Sequence, residues 1–271
     1  MFYDGIAWQQ GWYAPVLPAA RRVITATDGW RAQINAEAGT LPLLNHRQQA
    51  IRFVAQEALP EGAAYEAFIS ETGQVPTREN LHDFFNALVW LSFPRIKAQL
   101  NALQAAQIAS LGIGKSRGAA RDAATIFDEN AALLVVRGSD QGLGLVASLR
   151  NHQWQQAFIG QRGLFGTQCE VWAFGHALME KLVQPYKAIT AHAWVVSVGQ
   201  EYFDMGEQDR RDHVDCLVAR QLASRSLTTA DYTPLPVLGV PGWWPQQDEV
   251  FYADTQVFRP RRGARDTAAR T

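Results

Sequence analysis

PTRENLHDFFNALVWLSFPRIK, residues 76–97, is the stretch on which the reading of the fold turns. Asn80 has the short polar side chain that accepts from the free N–H groups of a helix start. Asp83 stands three residues on as a variant capping pair. The run that follows is apolar nearly all round, through Leu81, Phe84, Phe85, Leu88, Val89 and Leu91, which predicts a buried helix. Pro94 ends or kinks it. A second helix is expected over roughly 95–110, with Ile96, Leu100, Leu103 and Gln107 on one stripe.

Before this stretch, residues 1–45 read as irregular, broken by Pro15, Pro18 and Pro42, with Trp8, Trp12 and Tyr13 docked on the body of the protein. The spacing of Ile51, Val54 and Ala58 predicts a helix over 46–58, and a short helix is expected over 63–70, ended by Gly73 and Pro76. After it, Gly112, Gly114 and Gly118 mark a flexible link. ATIF (124–127) and ALLVV (132–136) flank Asp128, Glu129 and Asn130 and read as a β-hairpin with those three as turn residues. A helix is expected over 143–157, a strand through Cys169 and Val171, a helix over 172–182, a strand from Ile189, a helix over 206–224 and extended chain from Thr233. The sum is one α+β domain over 1–262. It has a helix-rich N-terminal half, a small antiparallel sheet with packed helices and an extended C-terminal segment. Residues 263–271 read as a disordered basic tail.

The composition excludes several classes. With 47% hydrophobic residues, nine Trp and 13 Phe in 271 residues, the chain has ample material for a core and is not intrinsically disordered. Lys and Arg number 25 against 26 Asp and Glu, so the basic excess of a general nucleic-acid binder is missing. Arg259, Arg261, Arg262, Arg265 and Arg270 read as a solvated terminus. No apolar stretch approaches the roughly 18 residues of a membrane span. MFYDGIAWQQGWY at the start lacks the pattern of a secretory signal. Cys169 and Cys216 stand outside any CxxC spacing, which fits free thiols in a reducing cytoplasm. A small-molecule substrate is the expected partner, with no membrane and no nucleic acid, and the oligomeric state stays open.

Familiar motifs fail on inspection. GIGKS (112–116) has Ala109 where a phosphate loop needs glycine, and a helix precedes it. Gly142, Gly144 and Ala147 form a GxGxxA pattern too far from the preceding strand for a dinucleotide site. GxSxG and HExxH are absent. What remains is a set of ionisable residues in the most apolar elements. His82 and Asn86 stand i, i+4 on the buried helix with Asp83 beside them, and His176 and Glu180 form an HxxxE pair on one helix face. His192 lies in an apolar strand. Such groups are costly to bury unless bonded.

These residues support two readings, a set of structural hydrogen bonds or a site. In the first form of the site, His82, His176 and Glu180 bind a divalent transition metal (Zn, Mn or Fe), His192 or Asp128 completes the shell, and Asp83 or Glu129 orients a ligand or acts as general base in a hydrolysis. In the second, His82 with Asp83, or His176 with Glu180, is a metal-free acid/base pair. A non-enzymatic alternative makes the aromatics Trp8, Trp12, Trp243 and Trp244 an interaction surface.

Four blocks occur in order: PTRENLHDFFNALVWLSFPRIK, RDAATIFDENAALL (121–134), FGHALMEKLVQPYKAITAH (174–192), and LPVLGVPGWWP (235–245) with FYADTQVFRP (251–260). Together they resemble the bacterial family called domain of unknown function 3025, over about residues 40–262. The resemblance implies no activity and no catalytic residues. Some members carry a membrane label that this sequence, without a spanning segment, does not support. Ala131 departs from the glycine that a hairpin of this type favours.

Overall fold

The computed structural model describes residues 1–25, 29–111 and 118–261. The first 45 residues are more regular than their prolines suggest. Pro18 sits in the first turn of α1 (Leu17–Ile24), where a proline costs no hydrogen bond, and α2 (Trp30–Thr40) follows. The helix expected over 46–58 is instead strand β1 (Arg52–Ala55) and one 3-10 turn. Phe53 is buried in a parallel pair with Val75 of β2 (Gln74–Thr77), and the Asn35 amide bonds both the N–H and the C=O of Phe53 at 2.8 Å. Long-range pairing here overrides a local spacing that fits a helix equally well. Between the two strands lies α3 (Tyr65–Thr72), closed by Gly73 at φ 70°, which only glycine adopts without strain.

The central stretch folds as its pattern dictates. Asn80 caps α4 (Leu81–Ser92), accepting from Asp83 N at 2.8 Å, and ten of the twelve residues of this helix are buried. Pro94 opens α5 (Pro94–Leu111). The start of α5 is capped from a distance, because the Asp215 carboxylate accepts from Arg95 N at 3.1 Å and Ile96 N at 2.9 Å.

The hairpin expected around Asp128 does not form. Residues 119–130 are helix α6 (Ala119–Asn130), and β3 (Ala131–Arg137) follows directly. Ala123, Ala124, Phe127 and Asp128 share the buried face at helical spacing, so Asp128 and Glu129 lie in the last helical turn. Ala131 then starts a strand and has no turn to fill. Gly118, at φ 74°, precedes α6, whereas Gly112 and Gly114 of the expected link, and GIGKS with them, lie outside the described residues.

The larger sheet has the order β4-β3-β5-β6, with β4 (Cys169–Ala173), β5 (Thr190–Val198) and β6 (Thr233–Pro236). The α+β class holds, but the sheet is mixed. Two pairs are antiparallel, while the central pair β3–β5 is parallel. Ala131–Val136 are all buried, the continuous apolar reading of a strand covered on both faces. The helix expected over 143–157 is α7 (Asp140–Arg150), capped by Ser139, then a separate wide turn over Gln156–Gly160. A Cβ on Gly142 would stand 2.1 Å from the Arg137 carbonyl, so that glycine allows a close strand-to-helix turn and no nucleotide is needed to explain it.

After β4 comes α8 (His176–Lys181), and after β5 comes α9 (Glu207–Ala223). The last short helix is α10 (Glu249–Tyr252). The C-terminal chain is held in place: the Arg259 carbonyl accepts from Trp154 Nε1 at 2.8 Å, and Arg261 reaches Asn151 at 2.8 Å. Arg262, Arg265, Arg270 and the tail 263–271 lie outside the described residues. No helix among the described residues is long and apolar enough to cross a membrane.

The aromatic ends dock on the core. Trp12 is buried edge-on against a half-buried Trp243, and Trp244 stacks on Phe251. Tyr13 stacks on Phe85 of α4 at 5.5 Å, and its hydroxyl donates to the Met179 carbonyl of α8 at 3.1 Å. The N-terminal segment therefore ties together the two helices that carry His82 and His176.

Candidate functional site

A close backbone contact brings His176 to its place. Phe174 N and Gly175 N both donate to the Ala131 carbonyl, at 3.1 and 2.8 Å. A Cβ on Gly175 would lie 2.4 Å from the Glu129 carbonyl group. Only glycine lets α8 begin this close to the junction of α6 and β3. The next residue, His176, faces Asp128 from α6 and His82 from α4.

The two imidazoles meet edge to face. Their Nε2 atoms are 3.1 Å apart and their ring centroids 4.4 Å. His82 Nδ1 lies 3.0 Å from Glu180 Oε2, and His176 Nδ1 lies 3.9 Å from Asp128 Oδ2. The exposures differ: the His82 side chain is 35% exposed and that of His176 only 6%. Both rings line a cleft of about 300 Å³ with Tyr65, Arg78, Asp128 and Glu129.

Behind the pair lies a buried polar network that the sequence reading missed. Lys97, 4% exposed, donates to Asp128 and to Asn86 Oδ1 (2.9 Å), and stands over the Trp90 ring at 5.4 Å. Asn86 donates to the Tyr65 hydroxyl at 3.2 Å, and Asn101 donates to Glu66 Oε2 at 2.7 Å. The available signal was the spacing Lys97, Asn101, Gln104, an i, i+4, i+7 polar stripe on α5. It is buried in full, and the apolar stripe through Ile96 and Leu100 covers the adjoining face.

Burial dominates the electrostatics. It pushes His176 down to about 4, assisted by Lys97 and His82 and opposed by Asp128, so His176 is neutral at neutral pH. Burial works to raise Asp128, but Lys97 and His176 outweigh it and leave that carboxyl below its usual range. Glu66 is raised, first by burial and then by Asp128.

Stability follows from these directions. An imidazole that protonates near 4 when folded and near 6.5 when unfolded favours the unfolded chain as pH falls between those values. Asp128, depressed, adds a loss at lower pH. The folded state is expected to lose about 3 kcal/mol through His176 between pH 6.5 and 4. In urea titrations across that range, His176→Gln should flatten the loss, and an unchanged slope would contradict the burial argument.

The proton inventory is constrained. A neutral imidazole carries one N–H, and one proton must lie between the two Nε2 atoms for a contact of 3.1 Å. The Glu180 carboxylate at 3.0 Å calls for the proton of a neutral His82 on Nδ1, and the 3.9 Å gap from His176 Nδ1 to the Asp128 carboxylate is too wide for a hydrogen bond. The distances therefore favour an Nε2–H on His176 donating to the bare Nε2 of His82, with His82 Nδ1–H donating to Glu180. A base and a neutral donor stand side by side.

The expected site residues thus divide. His82, His176, Glu180 and Asp128 come together, and the exposed Glu129 lines the same cleft without a side-chain partner among the described residues. Asp83 is close but committed, accepting from Arg78 N at 2.7 Å and Arg78 Nε at 2.9 Å. His192 is elsewhere, half-buried, with Nδ1 at 3.1 Å from Asn130 and its ring against Tyr232. Among the described residues no three His, Cys, Asp or Glu side chains are grouped to hold a metal ion. Glu180 approaches His82 from the Nδ1 side, away from the facing Nε2 atoms. Two nitrogens remain as donors, one short of the three protein ligands of a catalytic zinc site.

Comparison with the curated proteins and with the solved structures finds no match to this chain. The model of a family described as "Protein of unknown function (DUF3025)" matches residues 51–262, which include both histidines, both carboxylates behind them and Lys97. The chain belongs to the DUF3025 family.

Proposed function

We propose that this protein is an acid/base enzyme that hydrolyses a small, uncharged or cationic ester or amide, with His82 as general base and His176 as neutral hydrogen-bond donor. The observation that carries the reading is the facing of the two Nε2 atoms at 3.1 Å in a cleft, with Glu180 behind the exposed ring. A substrate or water that enters between the rings replaces their mutual hydrogen bond with one to each. His82 Nε2 then takes a proton from the attacking water, and Glu180 holds the resulting cation through Nδ1. The Nε2–H of His176 is freed to donate to the carbonyl oxygen as negative charge develops there. As the tetrahedral adduct collapses, the C–O or C–N bond breaks and the leaving group takes the proton back from His82 Nε2, which restores the neutral base. Burial suits His176 to that part, because an imidazole kept neutral donates without adding a second cation beside His82.

The charge of the cleft sets the substrate class. Arg78 pairs with Asp83 and Lys97 with Asp128, which leaves Glu66 and Glu129 as the uncompensated charges around it and disfavours phosphodiesters and other anions. The test is turnover of a panel of chromogenic esters, amides and phosphodiesters by the wild type and by His82→Gln, with and without chelator. Ester or amide turnover lost in the variant and indifferent to chelator is the expected result. Turnover abolished by chelator and restored by Zn, Mn or Fe would instead support the metal-assisted reading. Hydrolysis unaffected by the substitution, or confined to phosphodiesters, would overturn the proposal.

A further inference from the structure

A second and larger cleft, of about 1070 Å³, lies between α1, the end of α2, the α4–α5 junction and α9. It shares no lining residue with the histidine cleft, and nothing said of it depends on the reading of that site. Its walls are mixed, with apolar patches formed by Pro18, Leu41, Leu44, Leu91, Ala98 and Ala219 between polar side chains. Its charge is not balanced. Arg22, Arg95, Arg211 and Arg220 line it against Glu37 and Asp212.

Two of these arginines are already satisfied: Arg22 pairs with Glu37 at 2.5 Å and Arg95 with Asp215 at 3.4 Å. Arg220 is exposed to water. Arg211 is different. It is 7% exposed, one of its nitrogens donates to Gln208 at 2.9 Å, its Nε has no partner, and no carboxylate lies within ion-pair distance among the described residues. Burial is the largest influence on it and works against its charge, with Arg22 adding to that and Glu207 and Asp212 opposing it. A buried guanidinium with carboxylates nearby but none in ion-pair contact is an expensive arrangement in a finished fold, and an incoming anion relieves it.

We propose that this cleft binds an amphipathic organic carboxylate, its head group on Arg211 and its apolar body along Leu41, Leu44 and Leu91. A planar guanidinium is matched to a carboxylate. The single buried guanidinium without an ion-pair contact is matched by one negative charge, which favours a monoanionic head over a phosphate. The volume, and walls that set apolar patches beside a few convergent polar groups, are those of a small-molecule site.

The cleft carries its own reporter. Cys216 lines it and is half-buried, whereas Cys169 is sealed in the core, so alkylation of native protein by iodoacetamide reads occupancy at Cys216. Decanoate below its micellar concentration is expected to slow that alkylation, and decanol at the same concentration is not. Arg211→Gln is expected to weaken decanoate at least about tenfold, the loss of one charge-assisted hydrogen bond. Should that variant fail to fold, the wild-type comparison of decanoate with decanol still decides. No protection by decanoate, or equal protection by decanol, overturns the proposal. Stronger protection by decyl phosphate overturns the monoanion assignment.

Discussion

Replacing Lys97 by methionine is expected to cost about 3–5 kcal/mol of folding stability, the usual penalty for breaking one side of a buried ion pair. Asp128 would be left 6% exposed with its cation gone and the Glu66 carboxylate near it. The carbonyl of Asn86 would lose its donor as well. The cost should shrink as pH falls and Asp128 takes up a proton. It should also shrink in the double variant Lys97→Met with Asp128→Leu, because removing both charges leaves neither uncompensated. Urea unfolding of the four proteins in the cycle measures this. If the double variant were as unstable as the sum of the singles, the pair would not be the source of the penalty.

Loss of the exposed imidazole is expected to have the largest effect on chemistry. For whichever ester or amide the wild type turns over, His82→Gln should lower kcat/KM by about 10²–10⁴, the range that a positioned general base supplies. The fold should tolerate the change, since His82 is 35% exposed and neither caps α4 nor fills its core face. Glu180→Gln should cause a smaller loss, because Glu180 touches the base and not the substrate cleft. A His82→Gln protein with native unfolding and full activity would remove the base from the mechanism.

The difference between what the sequence disclosed and what it withheld is physical. The α4 helix was legible because Asn80, the all-round apolar run and Pro94 are local signals that agree with the tertiary outcome. The helix α9 was read to within a residue at either end. The element around Asp128 was misread. An apolar run, three polar residues and a second apolar run satisfy a hairpin, yet also satisfy a helix that ends where a strand begins. The 46–58 segment failed for a related reason, since its strand exists only through pairing with β2 and the Asn35 amide.

Of the site, the histidines stood out because imidazoles are conspicuous in apolar helices. The pairing of His82 with Glu180 did not, because it joins residues 98 apart in the chain. Lys97 carries no such signal, because a lysine on a helix is ordinarily a solvated residue. Its burial is visible only once α5 is packed between α3, α6 and α9.

The most direct test of the account is nitrogen NMR of the histidine rings in uniformly ¹⁵N-labelled protein at neutral pH. The account predicts a through-hydrogen-bond coupling between Nε2 of His82 and Nε2 of His176, with His176 neutral and staying so down to about pH 4. His192, which stands apart from the cleft, should show no such coupling. Absence of the coupling, together with a His176 ring that titrates near the ordinary value of about 6.5, would mean that the two imidazoles do not share a proton, and the acid/base pair would not exist.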